Sequence, residues 1–364
     1  MPAVDRTIRW GLWGTGHQAH ELALDFALVP GARLQAVGSR SAERSRAFAQ
    51  RHRVPQPCAS LDALLADPAI DVIYLATPNH RHLEDGLACL EAGKALLCEK
   101  PFALDADQAA TLAAAARRRG VFCMEAMWTR FVPAVVAAQR LIAEGALGRI
   151  VRLEGDFSYP ALPSPGDARF APGGGALLDR GVYLLSLAQQ WLGAPVSVAA
   201  QARLGPDGVD WHSAYQLAYA DGAVAQLSAS LVSPGRNELL ITGERGQLRL
   251  HAPFYRAHRY SLQPSAAPTA AAGPGAPPSW RGRLRERPAL QRLHRQLEPL
   301  RAMLAPLASR RLPFPGNGYQ FELQEVTHCL QRGVLESATM PLDDSVAVLT
   351  IADRLRAAWR TPTC

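Results

Sequence analysis

The sequence predicts two units in series: an N-terminal doubly wound parallel sheet of the Rossmann α/β type, then an α+β unit on a largely antiparallel sheet. Three observations carry this. Over residues 8–124, short apolar runs alternate with helical patterns, as strand–helix–strand units require. From residue 150 the apolar period shortens to that of strands, and Asp221-Gly222 between two such runs is a hairpin turn. A glycine-rich turn, Gly14-Thr15-Gly16, joins the first strand to the first helix.

Taken in order, residues 8–13 form the first strand and 17–29 the first helix. Residues 34–37 and 42–51 repeat the pair, and 72–76, 95–98 and 121–124 are further strands, with helices over 82–92 and 106–119. Strands then follow at 150–157, 196–204, 213–219, 223–230, 238–242 and 247–250, interrupted by a helix over 182–192. Helices at 319–332 and 343–359 come last. This places a nucleotide-binding unit at 1–127 and a substrate-binding and dimerisation unit at 128–364. The second contains a Pro/Ala/Arg-rich insertion at about 262–312, read as partly disordered.

Composition narrows the class. Of 364 residues, 48% are apolar and 20% charged, which suits a soluble globular protein. No apolar run nears the roughly 20 residues of a membrane span. The opening residues lack the basic-then-apolar pattern of a signal peptide. Six scattered cysteines without a Cys-x-x-Cys pair read as reduced, so the expectation is a cytoplasmic protein. The net charge of +7 resides in one stretch: nine arginines and two glutamates lie between Arg281 and Arg311. A solvated appendage explains that better than nucleic-acid binding. No His/Cys/Asp cluster has metal-ligand spacing, and no metal is expected.

Gly14-Thr15-Gly16-His17-Gln18-Ala19 brings backbone N–H groups and a helix N-terminus against a pyrophosphate. An NAD site normally carries Asp or Glu about 20 residues on. Here that place holds Gly38-Ser39-Arg40, with Arg44 a helical turn later. Nothing there repels a 2′-phosphate, and Ser39, Arg40 and Arg44 could hold one, so NADP is expected, with NAD the alternative. Ala76-Thr77-Pro78-Asn79-His80 ends a later strand and would line the same crevice, with His82 expected at the cofactor; for His80 and His82 the alternatives are a catalytic role and ordinary loop and helix residues.

Glu99-Lys100-Pro101 leaves the carboxyl edge of a buried strand, where the nicotinamide should lie, and a cis Lys100-Pro101 bond is expected. Gly173-Gly174-Gly175 leads into a helix with Asp179 and Tyr183 at i and i+4, on one face. A nucleotide site with a lysine, an aspartate and a tyrosine is what reversible alcohol oxidation needs. Lys100 is expected to favour the Tyr183 phenolate, and Asp179 to orient Lys100 or a second hydroxyl. Which of Lys100 and Tyr183 carries the proton stays open, because coupled groups titrate as a pair.

At this point the chain resembles the glucose–fructose oxidoreductase, inositol dehydrogenase and rhizopine catabolism (Gfo/Idh/MocA) group of NAD(P)-dependent oxidoreductases. The resemblance rests on the Gly14 turn, Ala76-Thr77-Pro78-Asn79, Glu99-Lys100-Pro101 and the Asp179 segment. Within the group it looks closest to the dihydrodiol and D-xylose dehydrogenase branch. The residues behind that are Glu125-Ala126-Met127-Trp128-Thr129-Arg130-Phe131, 173–183, Glu336-Ser337 and Met340-Pro341-Leu342. Tyr183 stands where much of the group has histidine, as in that branch. Arg180, where the branch is usually apolar, implies a more cationic pocket, and a phosphorylated or carboxylated sugar is then worth testing. The long insertion, Trp10 and Trp13 are further departures.

The resemblance implies hydride transfer between nicotinamide and a secondary alcohol or carbonyl of a sugar, polyol or dihydrodiol. It also implies a homodimer paired through the second sheet. Trp128, Arg130, Phe157 and Tyr159 are candidates for the substrate wall, with Asp179, Arg180 and Tyr183, against a reading of plain packing. The competing functions are a non-catalytic NAD(P)-binding regulator and a redox-neutral, glycosidase-type use of the nucleotide.

Overall fold

A computed structural model describes residues 6–164, 166–265 and 308–360. Six parallel strands make the first sheet: β1 (Ile8–Trp13), β2 (Ala32–Gly38), β3 (Gln56–Cys58), β4 (Val72–Leu75), β5 (Ala95–Glu99) and β6 (Cys123–Ala126). Their order, β3-β2-β1-β4-β5-β6, reverses direction beside β1 and leaves a crevice at the carboxyl ends of β1 and β4. Every residue of β4, β5 and β6 is buried, as strands covered on both faces must be.

Helices α1 (His17–Asp25), α2 (Ala42–His52), α3 (Leu61–Leu65), α4 (His82–Glu91) and α5 (Ala106–Arg119) supply the crossovers. Asp105 caps α5 by accepting from Gln108 N, three arginines fill its last turn, and Gly120 stops it at φ +62°. A short turn at Trp128–Phe131 and helix α6 (Pro133–Ala143) lead into the second unit.

The second sheet has eight strands: β7 (Ile150–Ser158), β8 (Ser197–Leu204), β9 (Asp210–Ala218), β10 (Val224–Ser230), β11 (Leu239–Gly243), β12 (Gly246–Leu250), β13 (Arg259–Pro264) and β14 (Ala308–Arg311). The order is β14-β13-β12-β11-β7-β10-β9-β8, antiparallel except for β7 with β10. The register aligns Tyr215, Leu227, Gly155, Leu239, Leu250 and Tyr260 on one face. That face packs under α6 and under α7 (Val182–Leu192). The neighbouring row, Gln216, Gln226, Glu154, Leu240, Arg249 and Ser261, faces away and is mostly polar.

The expected insertion begins later and ends earlier than its composition suggests, because residues 262–264 belong to β13 and 308–311 to β14, which pair with each other. The expected disorder and the arginine-rich helical spacing fall mainly on 266–307, outside the described residues.

Helices α8 (Gln320–Gln331) and α9 (Leu342–Arg360) come last. α8 returns to the first sheet, packing on β1 and β2, and α9 packs on α5. Asp25 at the end of α1 accepts from the backbone N–H groups of Asn317 and Tyr319, so the units interlock. No helix of the described residues is long and apolar enough to cross a membrane.

Candidate active site

A cavity of about 600 Å³ opens at the carboxyl ends of β1, β2 and β4. Gly14, Thr15, Gly16, Ser39, Arg40, Arg44, Thr77 and Pro78 line it, all foreseen from the sequence. Ala76, also expected at this crevice, lines it as well, and Trp13, Ser41, Arg81 and Asp85 do so without having been foreseen. The cradle fits a dinucleotide. Gly14, at φ +117°, lies against the carbonyl of Ala76 too closely for any side chain, while Gly16 opens onto free space. Ser41 accepts from Arg44 N and caps α2, whose N-terminus therefore faces the cavity. Ser39 is held within its own turn, its hydroxyl donating to Ser41 O at 2.8 Å.

The remaining expected cofactor residues sit elsewhere. His17 is exposed on the first turn of α1, and Gln18 accepts from the Tyr319 hydroxyl at 3.3 Å. Asn79 Nδ2 donates to Gly173 O at 2.9 Å, tying the cofactor crevice to the glycine turn of the second unit. His82 is wholly buried, its ring nitrogens 2.8 Å from Pro101 O and 2.9 Å from Thr77 O. Burial pushes its imidazole down more than the two carbonyls raise it. His82 is therefore a brace between two loops behind the cavity wall, and the expectation that it contacts the cofactor is corrected. Glu99, also buried, accepts from Lys100 N at 3.0 Å and from the Tyr74 hydroxyl.

Lys100, Asp179 and Tyr183 come together. The Lys100–Pro101 bond is cis, and the lysine leaves β5 toward the start of α7. Lys100 Nζ donates to Asp179 O at 2.8 Å and Oδ1 at 3.1 Å, and lies 5.1 Å from the centre of the Tyr183 ring. A wide π-type turn at Leu177–Gly181, a form common at functional sites, presents Asp179 to the lysine. Burial pushes the Asp179 carboxyl up, but Lys100 and Arg180 outweigh it and hold it below the usual range.

Tyr183 is 4% exposed and accepts from Trp128 Nε1 at 3.1 Å. Burial, then the nearby Glu99, pushes its phenol well above the ordinary range. The expected phenolate is thus corrected: the ammonium lies over the ring, and burial with Glu99 favours the protonated phenol.

An aromatic wall faces this group. Phe157 stacks on Tyr255 at 4.5 Å and meets Tyr183 edge-on at 5.2 Å; Trp128 packs against Tyr183, Tyr255 and Tyr319. Tyr159 stands edge-on to Phe157 at 6.0 Å. Tyr255 had no signal in the sequence: it arrives on the Phe254–Arg256 turn, a hundred residues downstream of the wall it completes. Asp210 was also unforeseen. It accepts from Leu177 N at 2.8 Å and Ser213 Oγ at 2.8 Å, pinning the turn that carries Asp179, and burial raises its carboxyl to about 6.

Two expected substrate residues are engaged otherwise. Arg130, 1% exposed, donates to Ser186 Oγ at 2.8 Å, Ser186 O at 2.7 Å, Thr339 O at 3.1 Å and Asp344 Oδ2 at 2.6 Å. It ties α7 to α9 and offers nothing to a substrate. Arg130→Met is expected to lower stability by about 3 kcal/mol or more, because Asp344 loses its buried counter-charge; chemical denaturation measures this, and a loss under 1 kcal/mol would refute the strut. Arg180 is buried too, donating to the carbonyls of Tyr159 and Ser230 and lying 3.5 Å from Asp179 Oδ2. The expectation of a cationic substrate pocket is corrected: backbone acceptors already hold this guanidinium. Among the described residues, no group of three or more His, Cys, Asp or Glu side chains is placed to hold a metal ion.

A family model described as an oxidoreductase family with an NAD-binding Rossmann fold matches residues 8–127, and a GFO/IDH/MocA C-terminal domain matches 135–249. The chain is similar to the trans-1,2-dihydrobenzene-1,2-diol dehydrogenase of Bos taurus, 31% identical over 358 residues, 96% of either chain. The protein of the same name from Xenopus laevis is 30% identical over 95% of this chain and 96% of its own. A levoglucosan dehydrogenase solved with NADH and levoglucosan aligns with a TM-score of 0.79 at 23% identity, over 97% of both chains. A 3-ketoreductase from Actinomadura kijaniata solved with NADP and TDP-benzene aligns at 0.76 and 23% identity, over 97% of this chain and 98% of that one. At such identities these two structures bear on the fold alone.

Proposed function

The chain belongs to the GFO/IDH/MocA oxidoreductase family, and from that premise we propose that it uses NADP to interconvert a secondary alcohol and a ketone on a cyclic diol or sugar. The observation that carries the reading is the Lys100 ammonium, held by Asp179 over the Tyr183 ring and facing an aromatic wall. When bound, the nicotinamide would supply or take the hydride. The chain's own residues manage the proton and the charge.

In the direction of reduction, the Tyr183 hydroxyl donates its proton to the substrate oxygen while Lys100 stabilises the negative charge that develops there. In oxidation, the same ammonium favours the alkoxide, and the Tyr183 hydroxyl takes the substrate proton as it passes its own on to solvent. Asp179 positions the lysine through two contacts. Phe157, Tyr255 and Trp128 suit the apolar face of a ring whose vicinal hydroxyls turn toward Lys100 and Tyr183. With Arg180 engaged by carbonyls, a phosphorylated or carboxylated substrate loses its support.

NADP is favoured over NAD by Arg40, Arg44 and the capped N-terminus of α2 at the cavity, with no carboxylate at the end of β2. The reading includes a homodimer formed through the polar outer row of the second sheet, which light scattering would decide. It places the protein in the cytoplasm, consistent with the five free cysteines among the described residues.

Assays at the nicotinamide absorbance band should show turnover with cyclic trans-diols, pyranoses or anhydrosugars, run in both directions. Silence across that panel would refute the activity. Arg40→Ala is expected to weaken NADPH binding about tenfold and leave NADH binding unchanged; equal losses would refute the cofactor preference.

A further inference from the structure

Beside the phosphate turn lies a group of three side chains that the mechanism does not use. β1 ends in Trp13, 6% exposed, whose indole closes part of the cofactor cavity. Its Nε1 donates to Asp85 Oδ2 at 3.3 Å, and Arg81 Nη2 donates to Asp85 Oδ1 at 2.6 Å. The Asp85 side chain is 4% exposed and that of Arg81 is 35% exposed. One sunken carboxylate therefore divides its oxygens between an indole and a guanidinium at the cavity rim. Removing a carboxylate from water is unfavourable, and the arginine it orients offsets that only while the geometry holds.

Trp13 also shapes its neighbour strand. A Cβ on Gly38 would stand 2.9 Å from the indole ring, so the end of β2 runs flat against it. Arg40 and Arg44 follow β2, whereas Arg81 follows β4, and these strands flank β1 on opposite sides. The cavity thus has cations on two walls. Those after β2 stand where the ribose 2′ position would lie in a sheet of this order, which leaves the wall after β4, across the cavity, for the base.

Resting on the nucleotide reading above, we propose that Arg81 is the adenine-facing plate of the cofactor site, its planar guanidinium held by the exposed Glu84 and by Asp85, which the Trp13 indole anchors. A delocalised cation on an aromatic face is attracted to it whether or not the ribose carries a phosphate. Arg81 then contributes to affinity for both nucleotides, while Arg40 separates them.

Calorimetry with ADP-ribose, 2′-phospho-ADP-ribose and nicotinamide mononucleotide tests this without turnover. Arg81→Ala should weaken both adenosine ligands by the same factor, about tenfold, and leave the mononucleotide unchanged. Arg81→Lys, which keeps the charge and loses the plane, should recover only part of that. Asp85→Asn should weaken both ligands in the wild-type background and neither in Arg81→Ala, since Asp85 acts through the arginine. Unchanged affinities in Arg81→Ala would overturn the proposal, as would a loss confined to the 2′-phosphorylated ligand. A wild-type chain binding neither adenosine ligand would remove the nucleotide reading, and this proposal with it.

Discussion

Lys100→Met is expected to lower turnover about a thousandfold while cofactor affinity stays within about twofold. The size follows from where the ammonium sits. It is a buried cation whose own partner, Asp179, is already satisfied through the carboxylate and the backbone carbonyl. Methionine keeps the apolar stem against Tyr183 and removes only the charge. A substrate alkoxide would then form in a desolvated pocket with the Tyr183 phenol alone to meet it. Tyr183→Phe should cost less, about a hundredfold, because Lys100 still stabilises the charge and solvent can supply a proton slowly. The double variant should fall little below Lys100→Met, since groups acting as a unit are not additive.

The pH dependence separates this pair from a merely structural one. The Asp179 carboxyl is held below its ordinary value, so the Lys100–Asp179 pair contributes stability above the ordinary carboxylate range. That contribution is lost only as pH falls through the lowered value. The acid limb of stability should therefore soften in Asp179→Asn, and be unchanged near neutral pH apart from a constant offset. Steady-state rates for Lys100→Met and Tyr183→Phe, with cofactor affinity measured on the same preparations, check the rest. Near-normal turnover in both variants would remove the mechanism.

The first sheet was legible because its strands are covered on both faces. Ile8–Trp13 has no polar alternation to blur it, and the observed strand coincides with the predicted one. β3 and α3 were missed since three residues containing a proline, and one helical turn, have no period to detect. α6 did carry a signal, with Pro133 at its first turn and Ala134, Val135 and Ala138 on one face. β13 and β14 were hidden by the proline- and arginine-rich composition on either side of them. At the site, Lys100, Asp179 and Tyr183 stood out because chemistry demands those residue types after a strand end and at a helix start. Arg130 and Arg180 misled for one reason. Whether an arginine serves a substrate or the backbone depends on acceptors such as Asp344 and Ser230, supplied by distant segments. Tyr255 and Asp210 depend on the same long-range approach.

Gly14→Val and Gly16→Val should both abolish cofactor binding, lowering affinity at least a hundredfold, yet only the first should damage the fold. A Cβ at Gly14 would lie 2.2 Å from Ala76 O and 2.7 Å from Ala76 C, at a φ of +117° that branched side chains do not adopt. Neither atom can yield, because Ala76 N is itself hydrogen-bonded to Trp13 O at 2.8 Å and holds β4 to β1. A destabilisation of about 3 kcal/mol or more is expected. Gly16 has an ordinary φ of −79° and no heavy atom within 4 Å of its missing Cβ. A side chain there meets nothing in the protein and fills only the space at the N-terminus of α1 where a pyrophosphate would rest. Its melting temperature should thus match wild type in the absence of nucleotide, and the upward shift on adding NADPH should vanish. Thermal denaturation with and without NADPH reads both effects in one experiment. A Gly16→Val protein that is still stabilised by NADPH would move the pyrophosphate away from this turn, and with it the assignment of the cavity.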